Sequence, residues 1–236
     1  MSLNSVARRG RLRRWHLIGG TALLAGAAVA LTTAMTSSHG HSGYVPTANS
    51  QVTDSPYTSA QLTAALLTHD PSLRGFRVGG IRGMPQLSRR TGCFQLDASI
   101  QSHNRHGVES LRVFRRGQAV IAEQLDSESA ANMHSDFAAN IAALGTCHSL
   151  VLHLGDTSIP VRLSPVDDTV NGANSAAYRL GGVYRGAPIV GFMGIATTTD
   201  ASGVTVLCVY PGDGAAPVQP SAVFQAAVAK ARNSLH

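Results

Sequence analysis

An α+β domain is the fold class this sequence predicts. It would hold an antiparallel sheet of about six or more strands, with two long helices packed on one face and one N-terminal apolar helix, a signal or an anchor, ahead of it. Three observations predict it. Phe94, Leu96, Ala98 and Ile100 alternate with polar neighbours, the period of two that marks a half-buried strand. Two later segments repeat apolar residues at spacings of three and four, as an amphipathic helix does. Short Gly- and Asp-containing connections join the strand candidates, which favours hairpins over parallel crossovers.

Residues 1–35 form a basic leader and an apolar segment. Arg8, Arg9, Arg11, Arg13 and Arg14 precede the charge-free run Leu17 to Met35. That run is just long enough to cross a bilayer core, which needs about 20 residues. Gly19, Gly20, Gly26 and three threonines dilute it, so it reads equally as a cleaved secretory signal, cut after Ala30 or Ala34, or as a retained anchor through residues 17–35. The Arg13-Arg14 pair matches a twin-arginine export signal only loosely, because His16 stands where an apolar residue is usual; holding the N-terminus inside the membrane is the simpler role. No Cys lies near the end of the run, which excludes lipid attachment of the bacterial kind. Both readings make the rest of the chain extracytoplasmic. Residues 36–56, rich in Ser, Thr, Gly and Pro, are a linker. His39 and His41 in it supply two metal ligands at most, too few for a site.

The domain proper is expected over 57–236. A short helix starts at Thr58, with Gln61 at capping-box spacing, and Pro71 stops it. A strand is expected over Phe76–Ile81. A meander of Phe94–Gln101, Val108–Arg115 and Gln118–Leu125 follows, turning at His103–Gly107 and at Arg116-Gly117. The first long helix is capped by Asp126 or Ser127, carries Ala130, Met133, Phe137, Ile141 and Leu144 on one face, and stops at Gly145. Strands are next expected at Leu150–Leu154, Ile159–Leu163, Ser175–Val183, Pro188–Thr198 and Gly203–Tyr210. Pro220 opens a final helix whose apolar face is Val223, Ala227, Val228, Ala231 and Leu235. Each half thus ends in three strands and a helix, a repeat of pattern without residue identity.

Charge excludes one class of partner. Of 19 Lys+Arg, five lie in the first fourteen residues and no acid precedes Asp54, so the remainder carries 14 positive against 13 negative groups. A near-neutral domain has no field to steer nucleic acid. Catalytic signatures are missing too. There is no G-x-S-x-G elbow, no Walker-type phosphate loop and no C-x-x-C, and no cofactor is implied. Asp167-Asp168 reads as a solvated turn; His103 and His106 read as a polar hairpin loop. His134, His148 and His153 have no motif partner. Arg105, Arg112, Arg115 and Arg116 cluster around one hairpin, and Arg82, Arg89 and Arg90 around the preceding stretch. If the two groups met they would form an anion-favouring patch; the plainer alternative is that they guard a sheet edge.

Three cysteines occur. A Cys93–Cys147 bridge would tie the end of the first long helix to the sheet, worth about 4 kcal/mol by loop entropy across that separation, and export permits it. Cys208, mid-strand in VTVLCVY, reads as a buried free thiol; a Cys147–Cys208 bridge is the alternative.

The motifs ALLTHDPSLRGF (65–76), TGCFQL (91–96), AALGTCHSL (142–150) and NSAAYRL (174–180), behind a basic leader and polar spacer, form a recognisable set. Over residues 57–236 the chain resembles the actinobacterial extracellular sensor-type domain, found on the outer side of mycobacterial membrane Ser/Thr kinases and in stand-alone lipoproteins and secreted proteins. The resemblance implies an antiparallel sheet with two packed helices, a Cys93–Cys147 disulfide, and binding without catalysis. The first functional reading is a non-enzymatic module whose concave sheet face or inter-helix cleft holds an apolar or amphipathic small molecule or an envelope protein. The chain departs from the pattern in having no kinase domain, no lipobox cysteine, and three cysteines in place of two disulfides. Two other functions compete: an envelope interaction protein that recognises another chain by an exposed strand, and a hydrolase whose Ser, His and acid converge from distant positions.

Overall fold

A computed structural model describes residues 55–80, 85–88, 107–154, 156–167, 170, 173–213 and 216–236. The leader, most of the linker, and the expected strand Phe94–Gln101 lie outside the described residues. In chain order the elements are α1 (Ser59–Ala65), a 3-10 turn (Pro71–Leu73), β1 (Arg77–Gly79), β2 (Pro85–Ser88), β3 (Val108–Arg116), β4 (Ala119–Ser127), α2 (Ala130–Thr146) and β5 (Ser149–Leu154). They continue with β6 (Thr157–Val166), β7 (Ser175–Tyr184), β8 (Ala187–Thr199), β9 (Ser202–Pro211) and α3 (Pro220–Ser234).

All nine strands join one antiparallel sheet in the order β1-β3-β4-β9-β8-β7-β6-β5-β2, curled into a half-barrel. The α+β expectation, a sheet of about six or more strands with two long helices on one face, is therefore overturned. The sheet is larger and dominates the molecule, and the two long helices lie on opposite faces of it. The physical reason is the composition of the central strands. β4, β8 and β9 carry buried residues on both sides, in β8 an unbroken run from Gly191 to Ala196, so the centre of the sheet has two apolar faces and each must be covered.

One face is closed by α1 and α3. Val223, Phe224, Ala227, Val228 and Ala231 of α3 pack with Leu62 and Leu66 of α1 onto Ile121, Leu125, Phe192, Val204, Val206 and Cys208. The other face gathers Leu152, Val161, Leu180, Met193, Ile195, Leu207 and Val209, with Leu144, Phe137 and Ile141 of α2 packed against them. A twofold axis normal to the sheet would put the helices after β4 and β9 on the same face. Their opposite placement means that the repeated pattern of strands and helix is no symmetric duplication.

Local signals explain the element ends. Thr58 and Gln61 form the expected capping box: the Thr58 hydroxyl accepts from the Gln61 backbone N–H, and Gln61 Oε1 accepts from the Thr58 N–H at 2.9 Å. Pro220 opens α3, and its five expected face residues are all buried. For α2 the cap differs from expectation. Asp126 and Ser127 end β4, and Ser129 Oγ accepts from Asn132 N–H instead. Gly145 lies inside the helix rather than stopping it; the chain turns extended at Cys147. The β7–β8 hairpin turns through Arg185 (φ 51°) and Gly186 (φ 82°), both left-handed, as a two-residue turn matching strand twist requires.

Candidate functional site

The segment between α1 and β1 is the most chemically varied part of the described surface. Asp70 Oδ1 accepts from the Ser72 N–H (2.8 Å) and the Ser72 hydroxyl (2.6 Å), which fixes the 3-10 turn. Gly75, at φ 82°, then swings the chain into β1 and leaves room for the Arg116 side chain. Arg116 donates to the Pro217 carbonyl at 3.2 Å and to the Arg74 carbonyl at 3.5 Å. Between this segment and Phe114 lies an open groove of about 600 Å³. Leu73, Phe76, Val78 and Phe114 give it apolar walls, and Arg74, Arg77 and His69 line it as well. Val78 is 63% exposed, one of only two large apolar side chains so exposed among the described residues.

Behind this segment sits a carboxylate that sequence reasoning did not single out. Glu123 of β4 has no solvent-exposed surface. Its oxygens accept from the Leu67 backbone N–H at 2.9 and 3.2 Å, just past the end of α1. Directly opposite in the β3–β4 ladder stands Arg112. Its guanidinium donates to the carbonyls of Leu67 (2.6 Å), Leu66 (3.3 Å) and Thr63 (3.3 Å). Acid and base therefore hold the same turn of chain, one by its amide and the other by its carbonyls. Burial pushes the Glu123 carboxyl up to about 7; the Leu67 N–H and the charges of Arg112 and Lys230 pull it down, and Asp70 adds to the rise.

The arginine cluster does not form the single patch considered from sequence. Arg82, Arg89, Arg90 and Arg105 lie outside the described residues. Strand alternation separates the others: Arg112 turns in toward α1, and Arg116 binds loop carbonyls on that same side. Arg115 lies on the opposite side, along Gly79 and directly across from Arg77 in the β1–β3 register. The pairing that matters, Arg77 beside Arg115, joins residues that are distant in sequence.

Cys208 is a free buried thiol, pushed up to about 12 by desolvation. Cys147 is buried against the second core, and Cys93 lies outside the described residues. The Cys93–Cys147 bridge accordingly stands as an expectation with a direct check. Intact mass of the exported protein without reductant is expected to be two hydrogens below the fully reduced value. Cys208 should resist alkylation until the fold is opened, because a neutral, inaccessible thiol is a poor nucleophile. Alkylation of Cys208 in the native protein, or a Cys147–Cys208 peptide pair, would reject this assignment.

The remaining sequence candidates do not converge. His39, His41, His103, His106 and Asp168 lie outside the described residues. His134 and His148 are exposed. His153 Nδ1 meets Ser158 Oγ at 3.0 Å, but on the exposed β5–β6 hairpin, toward the other end of the sheet from the groove. Among the described residues there is no group of three His, Cys, Asp or Glu able to hold a metal ion, and no helix long and apolar enough to cross a membrane. The apolar hollow lined by Leu152, Val161, Leu180, Ile189 and Val209 has no space for even one water. Compared with protein-family models and with curated proteins, the sequence matches none.

Proposed function

We propose that this chain is an exported, non-catalytic, sensor-like binding module of the cell envelope, and that the groove between the Thr68–Val78 segment and Phe114 takes an amphipathic molecule carrying an anionic group. The observation that carries the reading is the pairing of chemistries in that groove: apolar walls from Leu73, Phe76, Val78 and Phe114, with the exposed guanidinium-bearing residue Arg74. Small-molecule sites commonly combine an apolar concavity with a few polar groups that orient the ligand. Arginine suits carboxylate and phosphate because its planar donors bind both oxygens. The resemblance to extracellular sensor-type domains points the same way, as does the leader.

The test is titration of the exported domain with a dansyl-labelled long-chain fatty acid and with its uncharged methyl ester. The acid should bind more tightly than the ester. Arg74→Glu should weaken the acid roughly tenfold or more, the scale of one lost charge-assisted hydrogen bond, while leaving the ester's affinity nearly unchanged. Val78→Asp should weaken both. Equal affinity of acid and ester, or indifference to Arg74→Glu, would overturn the reading.

A further inference from the structure

We propose that Glu123 is a pH-operated latch on the wall of the groove: protonated, it lets the Leu66–Asp70 turn lie closed on β4, and ionised, it favours the turn lifting away. The latch is a property of the chain alone; its effect on ligand exchange rests on the groove being the binding site.

The geometry supplies the mechanism. Glu123 is fully buried, as are Leu62, Ala65, Leu66 and Leu67 at the end of α1, each at most 2% exposed, and its oxygens accept from the Leu67 amide. Three residues later the chain becomes the groove lining at Asp70, Pro71 and Leu73. One short segment thus covers the carboxyl on one side and forms the groove on the other. The charged groups acting on Glu123 are Arg112 from β3, Lys230 from α3 and Asp70 from the turn; α1 contributes none. The two cations do not offset the loss of water, so ionisation is disfavoured while the turn is closed.

An opening that lets water reach Glu123 returns its carboxyl to the ordinary range near 4.5. By linkage, raising pH from well below 4.5 to well above 7 increases the open fraction by about 300-fold in total, and the increase levels off beyond that.

Hydrogen exchange of the domain, corrected for the intrinsic pH dependence of each amide, tests the latch. The Leu67 amide should exchange through a local opening, faster than the Val206 amide of the core and insensitive to low urea. Its protection should fall as pH rises from 5 to 8, by about 70-fold, and Glu123→Gln should abolish that fall. Protection of Leu67 that is independent of pH, or that coincides with Val206 at every urea concentration, would overturn the latch from the unsubstituted protein alone. The dissociation rate of the dansyl fatty acid should rise over the same pH interval, and stay flat in Glu123→Gln. A probe that fails to bind at any pH rejects the groove reading and leaves the exchange result to decide the latch. A probe that binds with a pH-independent off-rate, while Leu67 protection moves, rejects the coupling.

Discussion

Glu123→Gln is expected to stabilise the domain at pH 8 by about 3 kcal/mol, and to change little at pH 4.5. The folded protein holds the Glu123 proton up to about pH 7, whereas the unfolded chain releases it near 4.5. Between those values the folded state binds more protons than the unfolded one, so stability falls as pH rises through the interval and is flat above it. Two and a half pKa units correspond to roughly 3 kcal/mol. Glutamine keeps an oxygen for the Leu67 N–H and carries no charge to desolvate. The opposing argument is that removing one member of a buried ion pair strands its partner, at a cost of about 3–5 kcal/mol. Here Arg112 keeps three backbone carbonyls as acceptors and is only half-buried, so the stranding cost is small. Urea unfolding of both proteins across pH 4.5 to 8.5 checks this. Parallel curves would reject it, and a variant less stable at pH 8 would show that the charge pairing outweighs burial.

That carboxylate was legible in the sequence without being read. In AVIAEQL the residues 119, 121, 123 and 125 share a face, and three of the four are Ala, Ile and Leu. A glutamate in such a row is either an error of register or a buried charge with partners. Its opposite number is not readable the same way, because the match of Arg112 to Glu123 depends on the hairpin register. The two-residue turn Gly117-Gln118 sets that register, and Gly117 adopts φ 58° there. The groove is harder still. Val78 meets Phe114 only because the three-residue strand β1 returns to pair with β3, a pairing of long sequence separation that no local period encodes.

The fold divides along the same line. The first helix and the strands and helices from residue 108 onward are readable because each has a local period, a cap or a turn residue: Thr58, Pro220, Gly186. The layering needs a further step that periodicity along one helix does not supply. α2 and α3 each show one apolar stripe, and a stripe alone does not say which side of a sheet it meets. The information lies in the strands. Ile189 through Ala196 and Val204 through Val209 place apolar or small residues at both parities, so neither side can face water. Two helices sharing one side would leave the other bare. The neighbouring of β4 and β9, which brings the two halves into one sheet, is likewise a long-range choice.

Phe224→Ala should be the most damaging single truncation in the face closed by α3, costing about 4 kcal/mol and lowering the melting temperature by roughly 10 °C. The ring is 1% exposed and packs against Phe192, with centroids 6.0 Å apart at 57°. It also lies over Gly194 of β8. A Cβ added at Gly194 would come within 2.6 Å of the Phe224 ring, so the glycine serves as the hole into which the ring fits. Gly194→Ala alone should then cost about 1–3 kcal/mol as overpacking, although alanine suits a strand better than glycine does. The two positions should not behave independently. With the ring gone, the new methyl has space and fills part of the cavity, so the double variant should lose at least 1 kcal/mol less than the sum of the singles. Additive losses in a double-mutant cycle, measured by thermal and urea unfolding at one pH, would mean that α3 can shift over β8. The ring would then not fix how that helix sits on the sheet.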